Sequence, residues 1–170
     1  MGNSILSGLN RQTLEHAART TVAAAISLAI ARLVRLPEAE WAAISTLVVT
    51  QSTVGAALTI SGQRFAGTAL GAAVGALLVT YLGSSVLAFA LGILGLGLIC
   101  AILHLDRAAY RFAGITLTIV LVVRSDRVWI IAVHRFLEVS LGIAIGLLMT
   151  ALWPEQSGAA PPEGNGPLHY

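Results

Sequence analysis

The sequence contains no lysine and a single cysteine, Cys100, among its 170 residues. One cysteine excludes an intramolecular disulfide and any metal site built from several thiolates. Charged residues make up only 11% of the chain, against about a quarter in an ordinary soluble domain. This shortage of charge argues against a soluble cytosolic enzyme.

Apolar residues account for 56% of the sequence, and the mean hydropathy is +0.84. A domain of this size cannot hide so much apolar surface from water. We therefore predict an integral membrane protein whose main partner is the lipid bilayer. No basic run with interleaved aromatic residues is present, which argues against a nucleic-acid partner.

The residues suited to catalysis or metal binding are scattered. The four histidines stand at no spacing typical of a metal site, and none accompanies a serine or cysteine in a recognisable triad. We therefore expect no enzyme activity, no metal and no cofactor.

Six apolar stretches, separated by polar or helix-breaking residues, are candidate membrane spans. A spanning helix needs about 20 apolar residues, and strand-like alternation is absent, so each stretch is predicted to be a helix. The stretches are 15–34, 41–60, 63–82, 84–103, 109–123 and 130–153. Tryptophan and tyrosine fall at several span ends, as expected at the headgroup level. The arginines divide five against five between the two sides, so the positive-inside rule predicts no orientation.

The predicted six-span membrane domain covers residues 15–154. A polar segment, 1–14, precedes it and lacks the pattern of a cleavable signal peptide. The tail, 155–170, is rich in proline, glycine and small residues and is predicted to be disordered.

The third and sixth spans contain an internal repeat. At an offset of 71, residues 63–78 and 134–149 are identical at seven of sixteen positions, and Arg64 matches Arg135. About one match in ten is expected by chance in so biased a composition, so the excess is informative. The alternative is that both segments are simply good packing helices.

A repeat of this kind has a topological consequence. The two copies, about 15–82 and 84–153, each contain three predicted spans. A copy that crosses the membrane an odd number of times leaves the next copy upside down. We therefore predict an all-α fold of six transmembrane helices, arranged as two inverted three-helix repeats, a recurrent design in transporters.

Several motifs resemble the fusaric acid resistance family of membrane transporters, also called the aromatic acid exporter family and related to plant aluminium-activated malate transporters. They are WAAISTLVVTQ at 41–51, Thr53, Gly55, Gln63-Arg64-Phe65, the glycines 67, 71 and 75, Arg135-Phe136-Leu137-Glu138, Leu141-Gly142 and Trp153-Pro154. The resemblance covers roughly residues 15–154. The chain departs from the family at Gln51-Ser52, where Gln-Pro is common.

The resemblance implies a multi-pass transporter of the bacterial inner membrane that exports small organic anions, above all aromatic carboxylic acids. Many members carry a second six-span unit or a cytosolic domain, and this chain shows neither, so the resemblance implies a homodimer. Two other functions stay open: a non-transporting assembly subunit of a larger membrane complex, and a passive anion channel.

Five residues are candidates for binding the anion: Arg19, Gln51, Arg64, Arg135 and Glu138. The planar donor fork of arginine suits a carboxylate. Arg64 and Arg135 occupy matched positions, and in an inverted pair they would face opposite sides of the membrane. The alternative is that both extend to lipid headgroups.

Arg19 and Glu138 lie deeper inside their spans, where a charge is expected to face a cavity or a partner. Arg135 and Glu138 are three residues apart and can pair on one helix face, as a structural ion pair or in proton coupling. Gln51 needs a partner in lipid, either a neighbouring helix or the cargo. The four-residue spacing of the glycines predicts close helix packing.

Overall fold

The computed structural model describes residues 11–50, 53–123 and 127–153, which form six α-helices and no strands. The helices are α1 (Arg11–Leu33), α2 (Glu40–Val49), α3 (Val54–Leu82), α4 (Val86–Ile102), α5 (Arg107–Val122) and α6 (Val128–Leu152). The predicted all-α class is thereby confirmed for these residues. The predicted N-terminal segment lies mainly, and the tail wholly, outside them.

Two helix starts and one helix end follow from local chemistry. The hydroxyl of Thr53 accepts a hydrogen bond from the N–H of Ala56 (3.3 Å) at the start of α3. Ser85 does the same for Ala88 (3.1 Å) at the start of α4. Such caps satisfy amide groups that have no partner inside the helix. Gly83 ends α3 with φ of 71°, a conformation that glycine adopts without a Cβ clash.

The predicted boundary between the second and third spans is wrong. The sequence predicts a break between the stretches 41–60 and 63–82, at Ser61-Gly62-Gln63-Arg64, but α3 runs through these residues. Ser61 and Arg64 are each only 5% exposed, so their polar groups face the protein interior and do not interrupt the helix. The break lies earlier, where Thr50 and Thr53 adopt extended conformations.

Two seams of close helix packing build the centre of the fold. In the first, α3 packs on α5, and a Cβ added at Gly71 would collide with the carbonyl oxygen of Ala113. In the second, α6 packs on α2, and a Cβ at Gly142 would collide with the carbonyl oxygen of Ala42. The glycines therefore allow the backbones to approach closely, as their spacing predicted.

The two seams match at the offset of 71 residues. Gly71 and Gly142 are related by that offset, and so are their partners Ala113 and Ala42. The remaining helix contacts follow the same relation, since α1 packs on α2 and α6 while α4 packs on α5 and α3. The sequence repeat is therefore reflected in equivalent contacts. The orientation of the two halves in a membrane stays a prediction.

The distribution of side chains is that of a protein in lipid. Many large aliphatic residues are exposed, among them Leu94 at 61% and Leu98 at 58%, whereas Arg19 and Thr46 are fully buried. Two of the described helices, α3 and α6, are long and apolar enough to cross a membrane, with 29 and 25 residues. Helices α2 and α4 are apolar but shorter. The count of six spans stays a prediction.

Candidate functional site

Arg64 and Arg135 lie in the protein interior, at the meeting point of the two seams. They are 5% and 2% exposed, which excludes the alternative that they extend to lipid headgroups. The Arg64 guanidinium stacks over the ring of Phe112 at 4.9 Å, and that of Arg135 stacks over Trp41 at 4.5 Å. Both the arginines and the rings are related by the offset of 71 residues.

The residues that follow the two arginines contact each other directly. The rings of Phe65 and Phe136 meet edge to face, with their centroids 4.9 Å apart and an interplanar angle of 61°. This geometry is favourable for aromatic pairs. It brings equivalent positions of α3 and α6 together, so that both arginines reach one site. The sides of the membrane that they face stay a prediction.

Two carboxylates surround Arg135. Its Nη2 lies 2.5 Å from Oε2 of Glu38, and its Nη1 lies 3.2 Å from Oε2 of Glu138. The backbone N–H of Glu38 donates to Oε1 of Glu138 (2.9 Å), and the indole N–H of Trp41 donates to Oε2 of Glu38 (3.1 Å). The predicted ion pair of Arg135 with Glu138 is therefore present. Glu38 extends the ion pair to a group of three charged side chains, which we call the charge cluster (Glu38, Arg135, Glu138).

Arg64 has a different environment. Its Nε donates to the hydroxyl of Ser45 (3.1 Å), and no carboxylate among the described residues forms an ion pair with it. A buried guanidinium normally has a counter-charge, because desolvation of an unpaired charge is costly. Arg64 is therefore suited to receive the negative group of a ligand.

A small cavity, which we call the central cavity, separates the two arginines. Its walls are Trp41, Arg64, Thr68, Phe112, Ile115, Thr116, Ile119, Arg135 and Val139. Its volume is about 10 Å³, enough for about one water molecule. The central cavity thus combines cationic, aromatic, hydroxyl and aliphatic groups, but this conformation is closed to any larger ligand.

The structure brings together three of the five predicted site residues. Arg64 and Arg135 line the central cavity, and Glu138 contacts Arg135 while being only 1% exposed. Gln51 lies outside the described residues. The role of all five in binding cargo stays a prediction.

Arg19 has a different position from the other candidates. It is fully buried and its Nη1 donates to the carbonyl oxygen of Trp153 (2.7 Å), the residue that caps the C-terminal end of α6. A cation at this end of a helix is favourable, because the last carbonyl groups carry partial negative charge. Arg19 is not among the residues that line the central cavity.

Sequence reasoning missed seven of the nine residues that line the central cavity, among them Trp41 and Phe112, and it also missed Glu38. Trp41 and Phe112 are related by the repeat offset of 71 residues, so a comparison of the two halves of the sequence could have identified them as a pair. Glu38 gave no such signal, since it lies in the connection between α1 and α2 and its partner Glu138 is 100 residues away.

Comparison with known proteins agrees with the resemblance seen in the motifs. Residues 23–149 match the family described as fusaric acid resistance protein-like. The uncharacterized transporter YdhK of Escherichia coli strain K12 is 32% identical over 154 residues, and that of Salmonella typhimurium strain LT2 is 31% identical over 152 residues. No solved structure matches the chain.

These alignments cover 85% and 84% of this chain. They cover only 23% and 22% of the two relatives, so the chain spans a small part of their length. The family match extends from α1 to α6 and contains both arginines and the glycines of both seams. The chain belongs to the fusaric acid resistance protein-like family of membrane transporters.

Proposed function

We propose that this chain exports small organic anions, and aromatic carboxylic acids in particular, across the bacterial inner membrane. The observation that carries the proposal is Arg64, a buried guanidinium that faces the central cavity and has no carboxylate partner among the described residues. A carboxylate ligand would supply the missing counter-charge through paired, charge-assisted hydrogen bonds.

The walls of the central cavity support an aromatic body on that anion. Trp41 and Phe112 present ring surfaces, and Ile115, Ile119 and Val139 add aliphatic contacts. Aromatic rings bind each other favourably in edge-to-face or offset arrangements. The hydroxyls of Thr68 and Thr116 lie in the same walls and are suited to a ring substituent or to the carboxylate itself.

A carrier mechanism is favoured over a permanently open channel by the size of the central cavity. At about 10 Å³ it holds about one water molecule, so the helices must move apart before an aromatic acid enters. Two matched seams of small residues supply surfaces along which such movement is feasible. Inverted repeats are commonly used in this way for alternating access.

We further propose that the chain works as a homodimer. The central cavity in the described six-helix unit is small, and a second copy would complete a pathway for a larger cargo. Chemical cross-linking in native membranes tests this point. A covalent dimer is expected at low reagent concentration, and an exclusively monomeric band contradicts the dimer.

Counterflow in proteoliposomes tests the transport function. Vesicles that contain the purified chain are loaded with unlabelled benzoate and diluted into labelled benzoate. Transient accumulation of label beyond that in protein-free vesicles supports a carrier. Rapid equilibration without accumulation supports a channel, and no protein-dependent flux supports an assembly subunit. Arg64→Gln is expected to abolish accumulation, whereas the exposed Arg111→Gln is the matched control.

A further inference from the structure

We propose that the central cavity selects monocarboxylates over dicarboxylates. Glu38 and Glu138 already pair with the guanidinium of Arg135, so this cation is not available to a second carboxylate of the cargo. The inference rests on the proposed function and deepens it by specifying the charge of the cargo. The two acidic residues thereby become determinants of specificity, although neither is among the residues that line the cavity.

The first step is the contrast between two equivalent arginines. Arg64 and Arg135 occupy positions related by the repeat, are almost fully buried, and each stacks on an aromatic ring. Arg135 contacts the carboxylates of Glu38 and Glu138, at 2.5 and 3.2 Å. Arg64 donates a hydrogen bond to the hydroxyl of Ser45 and forms no ion pair with a carboxylate among the described residues. The two halves of the site therefore match in shape and differ in charge.

The second step is that helix packing alone does not require the two acids. The residues equivalent to Glu138 and Glu38 in the other half are Gly67 and Ala109. They pack directly, since a Cβ added at Gly67 would collide with the carbonyl oxygen of Ala109. A small, uncharged contact therefore closes that seam. In the equivalent place, Glu138 is buried against Arg135 while the Glu38 side chain is 39% exposed. A buried ion pair brings little or no gain in stability over apolar packing, so the acids point to a role in the site.

The third step concerns the charge that a ligand meets. One carboxylate of a cargo pairs with Arg64. A second carboxylate would meet Arg135, already neutralised by two acids, or the aliphatic walls formed by Ile115, Ile119 and Val139. Burying a carboxylate without a cation is costly, and the carboxylate of Glu138 adds repulsion. A monocarboxylate with an apolar body avoids both costs.

Equilibrium binding to the purified full chain in detergent tests the selectivity. Labelled benzoate is the monocarboxylate probe, and unlabelled terephthalate is the competing dicarboxylate with the same ring. In the wild-type chain, terephthalate is expected to compete at least about ten-fold more weakly than unlabelled benzoate, a difference of about 1.4 kcal/mol.

The variant that tests the cause is Glu38→Gln with Glu138→Gln in one chain, which removes both carboxylates from Arg135. It is expected to gain about ten-fold or more in terephthalate affinity relative to its benzoate affinity. Each single substitution is expected to give an intermediate gain, and the singles carry the test if the double variant does not fold. Glu40→Gln, which removes an exposed acid nearby, is the matched control and is expected to behave as wild type.

Three results would overturn an assignment. Equal affinities of the wild-type chain for benzoate and terephthalate overturn the selectivity and leave the proposed function intact. An unchanged ratio of the two affinities in folded acid-to-amide variants overturns the role of Glu38 and Glu138. The absence of benzoate binding and of counterflow in the wild-type chain overturns the proposed function, and the selectivity with it.

Discussion

Glu138 accepts a hydrogen bond from the backbone N–H of Glu38, with an N···O distance of 2.9 Å, although the two residues are 100 positions apart. The bond attaches the connection between α1 and α2 to the side of α6. Arg135 contacts both side chains and supplies the positive charge between them. The charge cluster is therefore a structural joint, and through Arg135 it also contacts the proposed site.

Removal of the cation from this joint is expected to destabilise the protein. Arg135→Gln leaves Glu38 and the buried Glu138 without a counter-charge, which costs about 3–5 kcal/mol when a buried pair is broken on one side. Equilibrium unfolding of the purified protein in mixed detergent micelles measures the change. Arg111→Gln removes an exposed arginine and is expected to have little effect. Equal stability of the two variants would show that the cluster contributes nothing to the fold.

The glycine seams give a second prediction. Gly71→Val and Gly142→Val are each expected to lower the free energy of unfolding by about 1–3 kcal/mol or more, because the added atoms collide with backbone in the facing helix. Gly95→Val is the matched control, since a Cβ there meets no atom within 4 Å. The yield of monodisperse protein and its melting temperature report the effect. Normal melting of Gly71→Val would contradict the close approach of α3 and α5.

The aromatic wall gives a third prediction. Phe112→Leu keeps an apolar side chain but removes the ring beneath Arg64, and is expected to weaken benzoate binding by about 0.5–2 kcal/mol. The affinity for propionate is expected to change less, since that anion has no ring. Phe89→Leu, on α4 and outside the cavity walls, is the control. An equal loss for both anions would argue against recognition of the ring.

A buried hydroxyl between helices gives a fourth prediction. The single hydroxyl proton of Thr46 is shared between the carbonyl oxygens of Ala42 in its own helix and Gly142 in α6, both 3.0 Å from Oγ1. Thr46→Val is expected to destabilise the protein by about 0.6 kcal/mol, the average for such bonds in membranes. Thr118→Val removes an exposed hydroxyl that bonds only within its own helix. A smaller loss for Thr46→Val than for Thr118→Val would contradict the assignment.

Much of the fold was predictable, because lipid imposes simple rules on a chain. Long apolar stretches in a bilayer must be helical, and each of the six stretches contains a helix, although the break at Thr50 and Thr53 falls inside the stretch 41–60. The glycines at 71 and 142 predicted close packing, since a four-residue spacing places them on one helix face. The predicted boundary between 41–60 and 63–82 is wrong. The polar side chains of Ser61 and Arg64 are buried in the protein interior and do not interrupt the helix.

The candidate site was predictable only in part. Arg64 and Arg135 were found because the repeat marks equivalent positions. Their difference in charge was not found, since it depends on Glu38, which reaches Arg135 only after α2 has packed on α6. A sequence shows which residues are able to pair along one helix, such as Arg135 with Glu138. It does not show which distant loop completes the pair.

The exposed leucines of α4 determine how this protein behaves outside lipid. Leu91, Leu94 and Leu98 recur at helical spacing and are 45–61% exposed. They form an apolar stripe on the helix surface, which acyl chains or detergent tails can cover. In plain buffer, such stripes on neighbouring molecules are expected to associate with each other. Removal of detergent is therefore expected to precipitate the protein by exposing this surface to water, and no unfolding of the core is needed for it.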